Sequence, residues 1–246
     1  MNQRHISVTA SLIIINIAVF VIGLAVQKPS LLALSIPWSD TQDSVFHIFG
    51  AYSWFTCFME GELWRLISYQ FVHANLGHII FNMWALYFFG PAIEEIMGGR
   101  RFLAYYLTCG VAGALFSSLL ASMGLYTTLP TNPQTIAAVN ELAQYVGYDG
   151  FVTPWQMIPM VGASAAIYGV MVAVAFMYPD VRISLLFPPV TLKMRTFAMW
   201  IIGIASGTIL FNLSNAGGEA GHLGGIIMGA IIMLAWKLHD KLKYGQ

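Results

Sequence analysis

Runs of about 20 mostly apolar residues recur along the chain, near 8–27, 70–90, 102–123, 161–178, 196–214 and 219–236, with short polar breaks between them. Roughly 20 residues of helix cross a hydrocarbon core of about 30 Å, so each run reads as a membrane-spanning helix. Six spans predict an all-α membrane protein, a helix bundle folded as one domain over residues 1–246. The first run is too long for a signal-peptide core and lacks a small-x-small cleavage site, so it is read as retained. Two segments between runs have another pattern. Residues 37–65 set Trp38, Phe46, Phe49, Tyr52, Trp54, Phe55, Phe58 and Trp64 among polar neighbours, as expected of a partly helical hairpin lying in the headgroup layer. Residues 124–157 form an insertion. In it Asn132-Pro133 opens a helix, Ile136, Val139, Ala143 and Val146 recur at helical spacing, and Gly147 closes it. The expectation is a short amphipathic helix resting on the outer surface.

Composition agrees with the pattern: 58% of residues are hydrophobic and 9% charged, and the mean hydropathy is +0.70. A domain of this make-up could hardly stay dissolved in water, so the bilayer is its solvent. The formal net charge is zero, which gives no reason to expect a nucleic acid or an acidic partner, and the placement of charge is more telling. Arg4, Arg100, Arg101, Arg182, Lys193, Arg195, Lys237, Lys241 and Lys243 share one side of a six-span chain. The other side holds Lys28 and Arg65 against Asp40, Asp43, Glu60, Glu62, Glu141, Asp149 and Glu219. Basic residues collect on the cytoplasmic side, so both termini are expected there, and the compact six-span form is read as a bacterial plasma-membrane protein. Cys57 and Cys109 sit in a loop and a span, giving neither a disulfide framework nor a thiol metal site.

Polar groups inside spans are costly and mark an interior or a wet cavity. Span two opens with His73-Ala74-Asn75-Leu76-Gly77-His78 and continues to Asn82. At about 100° per residue, His78 and Asn82 lie about 40° apart on one face, whereas His73 and His78 are about 140° apart. Span four opens with Gly162-Ala163-Ser164 and reaches Tyr168, and span six opens with Gly221-His222-Leu223-Gly224-Gly225. Each has an ordinary alternative: a serine bonded one turn back, a histidine on a loop, an interfacial tyrosine, a glycine face that only packs. The histidine spacing on span two splits the ring directions and no Glu follows as in His-Glu-x-x-His, so no metal is expected. What raises the chemical reading is shared depth. Spans two, four and six all run inward, so their first turns place a nucleophile, a base and two hydrogen-bonding side chains in one layer.

Together these residues resemble the rhomboid family of intramembrane serine proteases. The resemblance rests on six spans, the aromatic first outer loop with Trp64-Arg65, the His-x4-His-x3-Asn pattern at His73, His78 and Asn82, the Gly-x-Ser motif at Gly162 and Ser164, and Gly-His-x-x-Gly at His222 and Gly225. It implies Ser164 as nucleophile and His222 as general base, a dyad without a carboxylate to orient it. It further implies an oxyanion hole formed with His78 and Asn82, Tyr168 packed beside His222, and transmembrane helices of single-pass proteins as substrates, with no cofactor. The usual Gly-x-Ser-Gly reads Gly162-Ala163-Ser164-Ala165 here, which puts the packing of Ala165 against Gly221 or Gly225 in question. A catalytically inactive rhomboid-like protein that binds transmembrane helices is the alternative function. A solute transporter would call for broken spans and charge at mid-bilayer, neither of which is evident.

Overall fold

The structure, a computed structural model, describes residues 6–26, 44–127, 132–185 and 189–244. Arg4, Lys28, Trp38, Asp40 and Asp43, which entered the sequence reading, lie outside them. The long helices are α1 (Val8–Ala25), then, after the short α2 (Val45–Gly50) and α3 (Arg65–Ser68), α4 (Leu76–Met97) and α5 (Gly99–Ser122). The insertion holds α6 (Pro133–Tyr145), followed by α7 (Ser164–Met177), α8 (Met194–Leu210) and α9 (Ala216–Tyr244). Among the described residues four helices, α1, α4, α5 and α9, are long and apolar enough to cross a membrane, while α7 and α8 are apolar but shorter, at 14 and 17 residues. Strand pairing also occurs among the described residues: Arg182–Ser184 (β1) pairs antiparallel with Thr191–Lys193 (β2) in the connection from α7 to α8.

Helix α7 is the hub, because it is apolar on every side and nine of its 14 residues are buried. It packs against α4, α5, α8 and α9, and α5 and α9 also pack closely on one another. Close approach needs small side chains at the crossings. A side chain at Gly225 of α9 would lie 2.0 Å from the Ala165 carbonyl oxygen of α7, and one at Gly229 would lie 3.0 Å from the Gly169 Cα. On the far side α1 leans on α4. Their contact is tied by Glu94, whose carboxylate accepts from the Val8 N–H at 2.6 Å, the Thr9 N–H at 2.8 Å and the Thr9 hydroxyl at 2.6 Å. The two amides belong to the first turn of α1, whose N–H groups have no partner within their own helix. Ser7 meets a third such donor, accepting from the Ala10 N–H at 3.1 Å.

Helix α4 begins at Leu76, later than the apolar run near 70, because Asn75 accepts from the His78 N–H at 2.8 Å and caps it. The residues just before it, Tyr69–Phe71, form a tight 3-10 turn that ends the segment between α1 and α4. That segment is a string of short turns held from within by Arg65, which is buried and donates to Ala51 O at 2.7 Å while pairing with Glu62. Trp64 donates to Phe49 O at 3.1 Å. The insertion folds as its cap signals predict, with Asn132 accepting from the Thr135 N–H at 2.8 Å and Gly147 at φ +86°. Its helix is docked rather than merely resting on a surface: Val139 and Ala143 are fully buried, and Ala143 clusters with Phe55 and Val152. Asn140 clamps the returning chain, donating to and accepting from the backbone of Val152 at 2.8 Å each. Val146, expected on the same face, is exposed.

Candidate active site

The strap Ile158–Ala163 carries the chain into α7, and the segment between α1 and α4 holds it in place. Tyr52 and Met160 exchange both backbone hydrogen bonds, at 3.0 and 2.7 Å, and the Gly162 N–H donates to Tyr69 O at 2.9 Å. Gly162 has φ +115°, a conformation that a side chain strains, and a Cβ there would sit 2.6 Å from the His78 ring. Only glycine lets the strap pass under that imidazole. Two residues later Ser164 is the first residue of α7, so its backbone N–H belongs to the turn with no intrahelical acceptor, at the positive end of the helix dipole.

Helix α9 brings His222 to this point. Its Nε2 lies 2.8 Å from Ser164 Oγ, and its Nδ1 lies 3.0 Å from Glu219 Oε2. The Tyr168 ring stacks on the imidazole with centroids 4.0 Å apart and planes 10° from parallel. Ser164, His222, His78 and Asn82 line one cavity of about 820 Å³, a size suited to a peptide segment or small ligand, with Phe81 and Trp84 of α4 at its side. The Ala74 N–H points to His78 Nδ1 at 3.4 Å, which leaves Nε2 as the ring's donor, and Asn82 donates to His78 O at 2.8 Å. His73 stands apart. It is buried, edge-on to the His78 ring with centroids 5.0 Å apart, and does not line the cavity. Among the described residues no group of three His, Cys, Asp or Glu side chains could hold a metal ion.

The model of the Rhomboid domain matches residues 60–239. The chain belongs to the rhomboid family. Among its curated relatives, Rhomboid protease AarA of Providencia stuartii is 28% identical over 95% of this chain and 73% of its own length. RHOMBOID-like protein 12, mitochondrial, of Arabidopsis thaliana is 33% identical over 73% of this chain, and Rhomboid protease GluP of Bacillus subtilis 26% identical over 91%. The chain spans 47% and 36% of the length of those two relatives. Family membership and the four long apolar helices make this rhomboid an integral membrane protein.

Two features of this rhomboid differ from the resemblance drawn from its motifs. Ala165 turns its methyl away from α9: a side chain at Gly113 of α5 would meet that methyl at 2.5 Å, while Gly225 meets only the Ala165 backbone. The extra carbon is therefore housed by a glycine on a third helix. The second is Glu219, which the sequence reading counted only as an outer-face charge although the imidazole was expected to lack a carboxylate neighbour. The signal was present as Glu-x-x-His at the start of a helix, a spacing that puts both side chains on adjoining faces.

Proposed function

We propose that this rhomboid is an intramembrane serine endopeptidase that cleaves transmembrane-helix substrates near the outer face of the bilayer. The observation that carries the reading is the 2.8 Å contact between Ser164 Oγ and His222 Nε2 inside a cavity at the helix ends. A serine hydroxyl is a weak nucleophile until an adjacent imidazole takes its proton. In the proposed cycle Ser164 Oγ attacks the scissile carbonyl carbon and its proton passes to His222 Nε2. The resulting oxyanion is met by the Ser164 N–H, His78 Nε2–H and the Asn82 amide, and losing one such donor costs about 100-fold or more in rate. His222 then gives its proton to the departing amine, and water activated by the same ring hydrolyses the acyl-enzyme.

In this reading α7 and α8 complete a six-span bundle. The 14 residues of α7 rise about 21 Å, and with protein on all sides the flanking non-helical backbone is tolerated at membrane depth. The first outer segment lies in the outer headgroup layer, both termini face the cytoplasm and the membrane is a bacterial plasma membrane. The distribution of basic residues supports that orientation. No cofactor enters the cycle, and substrates are single-pass membrane proteins whose helix unwinds into the cavity.

A fluorophosphonate probe tests the assignment on purified protein. It should label the parent and not Ser164→Ala, and His222→Ala should fold but not cleave a transmembrane substrate. Equal labelling of parent and Ser164→Ala, or turnover in His222→Ala, would remove the nucleophile or the base. A parent that is neither labelled nor able to cleave would leave the inactive, helix-binding alternative.

A further inference from the structure

Stacking by Tyr168 fixes the plane of the His222 ring but not which edge of it faces Ser164. A half-turn about the Cβ–Cγ bond would keep the stack and carry Nδ1 and Nε2 to the other side. The in-plane contacts are what select one orientation, and there are two of them: Ser164 Oγ on Nε2 and Glu219 Oε2 on Nδ1. Glu219 is well placed to hold its share. It lies in the first turn of α9, where the helix dipole favours a negative charge. Three residues before His222 on the same helix, it is about 60° round from it. Both side chains are largely withdrawn from solvent, at 15% and 13% exposure.

We propose that Glu219 is a positioning residue for His222, completing a Ser164–His222–Glu219 relay within the serine-hydrolase reading given above, on which the proposal rests. A carboxylate accepts only, so Nδ1 must carry the proton of the neutral ring. Nε2 then offers its lone pair to the Ser164 O–H, the tautomer that general-base catalysis requires. When the serine proton arrives on Nε2, the imidazolium stands against a carboxylate already in place, in a site of low dielectric. A glutamine has no charge to set against the imidazolium and, unlike a carboxylate, carries a donor. Donating its amide to Nδ1 would reverse the tautomer and present Nε2–H to the serine.

The test compares the full-length parent with Glu219→Gln and Glu219→Asp in detergent. Fluorophosphonate labelling of Ser164 and kcat for a transmembrane substrate should both fall about 100-fold or more in Glu219→Gln, with about tenfold or more regained in Glu219→Asp. KM should stay within about twofold, since Glu219 does not line the cavity. Nitrogen-15 spectra, with His222 assigned by its loss in His222→Ala, should show Nδ1 protonated in the parent and Nε2 protonated in Glu219→Gln. Labelling of Glu219→Gln at the parent rate overturns the proposal. So does a loss that Asp does not restore while Nδ1 stays protonated, which would leave Glu219 as a helix-end charge only. A parent that takes no label defeats the hydrolase reading instead, and the tautomer comparison then still decides whether Glu219 sets the ring.

Discussion

Ala165 shows how one methyl group is resolved by which neighbour yields. From the sequence the question was whether α9 could still come close at Gly221 or Gly225; in the structure the methyl points to Gly113 of α5. Gly113→Ala should therefore clash with it at 2.5 Å and with the Gly221 carbonyl at 2.8 Å, costing about 1–3 kcal/mol in overpacking. Ala165→Gly in the same chain should recover part of that loss, measured by reversible unfolding in mixed micelles. Additive losses would mean the two residues do not share the contact. Gly162 is constrained differently. Ala in its place meets both the positive φ and the His78 ring, so Gly162→Ala should lower labelling of Ser164 at least about tenfold, the strap being displaced beneath the oxyanion site.

At the level of the helices, ends matter more than middles, because an end is where backbone donors lack partners. Glu94 serves α1 from a different helix, with three hydrogen bonds to Val8 and Thr9. Glu94→Ala should cost about 2 kcal/mol of stability in micelles and loosen α1, read as faster amide exchange in its first turn, with Ser164 labelling retained. Glu94 stands near the C-terminal end of α4, an ordinary place for a helix tie; the sequence shows that place. It could not name the recipient, since residues 8 and 94 meet only through packing. The insertion teaches the same lesson. Its caps at Asn132 and Gly147 are local and were readable, whereas docking of Ala143 beside Val152 and Phe55 depends on a side chain supplied from the segment between α1 and α4. Between α7 and α8, Asp180 is hydrogen-bonded to Lys193 at 2.9 Å and faces Arg195 at 3.4 Å. The Lys193 hydrogen bond, then the charges of Arg195 and Lys193, hold its carboxyl below the usual value of 3.8. The sign follows: this support for the β1–β2 hairpin is present above that usual value and is lost as pH falls through the lower folded one. Hydrogen exchange of the hairpin amides should thus quicken on acidification in the parent and lose that dependence in Asp180→Asn. An unchanged dependence in the variant would assign it elsewhere.

For the whole molecule, the decisive quantity is the number of crossings and the side on which each connection lies. The six crossings proposed above would put α6 and the β1–β2 hairpin on opposite faces. Cys57 and Cys109 are fully buried, so single cysteines at exposed Tyr145 and Ser184 can report the sides separately. With intact cells, a membrane-impermeant maleimide should modify Tyr145→Cys and spare Ser184→Cys until the membrane is opened. Labelling of both, or of the hairpin alone, would overturn the proposed topology. The same arrangement explains why α7 carries so little polarity: it is surrounded by other helices, and its apolar surface serves packing as much as lipid.

The order of apolar runs, the caps at Asn132 and Gly147, and the family motifs were determined by the sequence alone, because each depends on neighbours within one helix turn or on composition. Those local rules also put Ser164 in a first helical turn and His78 with Asn82 on one face. Tertiary structure alone decided what lies across a gap: His222 against Ser164 from 58 residues away, the methyl of Ala165 against Gly113, and the α1 cap on Glu94. Glu219 falls between the two. Its spacing from His222 was in the sequence, but a carboxylate in a first helical turn usually faces water, and only the tertiary packing of α9 withdrew it from solvent beside an imidazole that faces the serine.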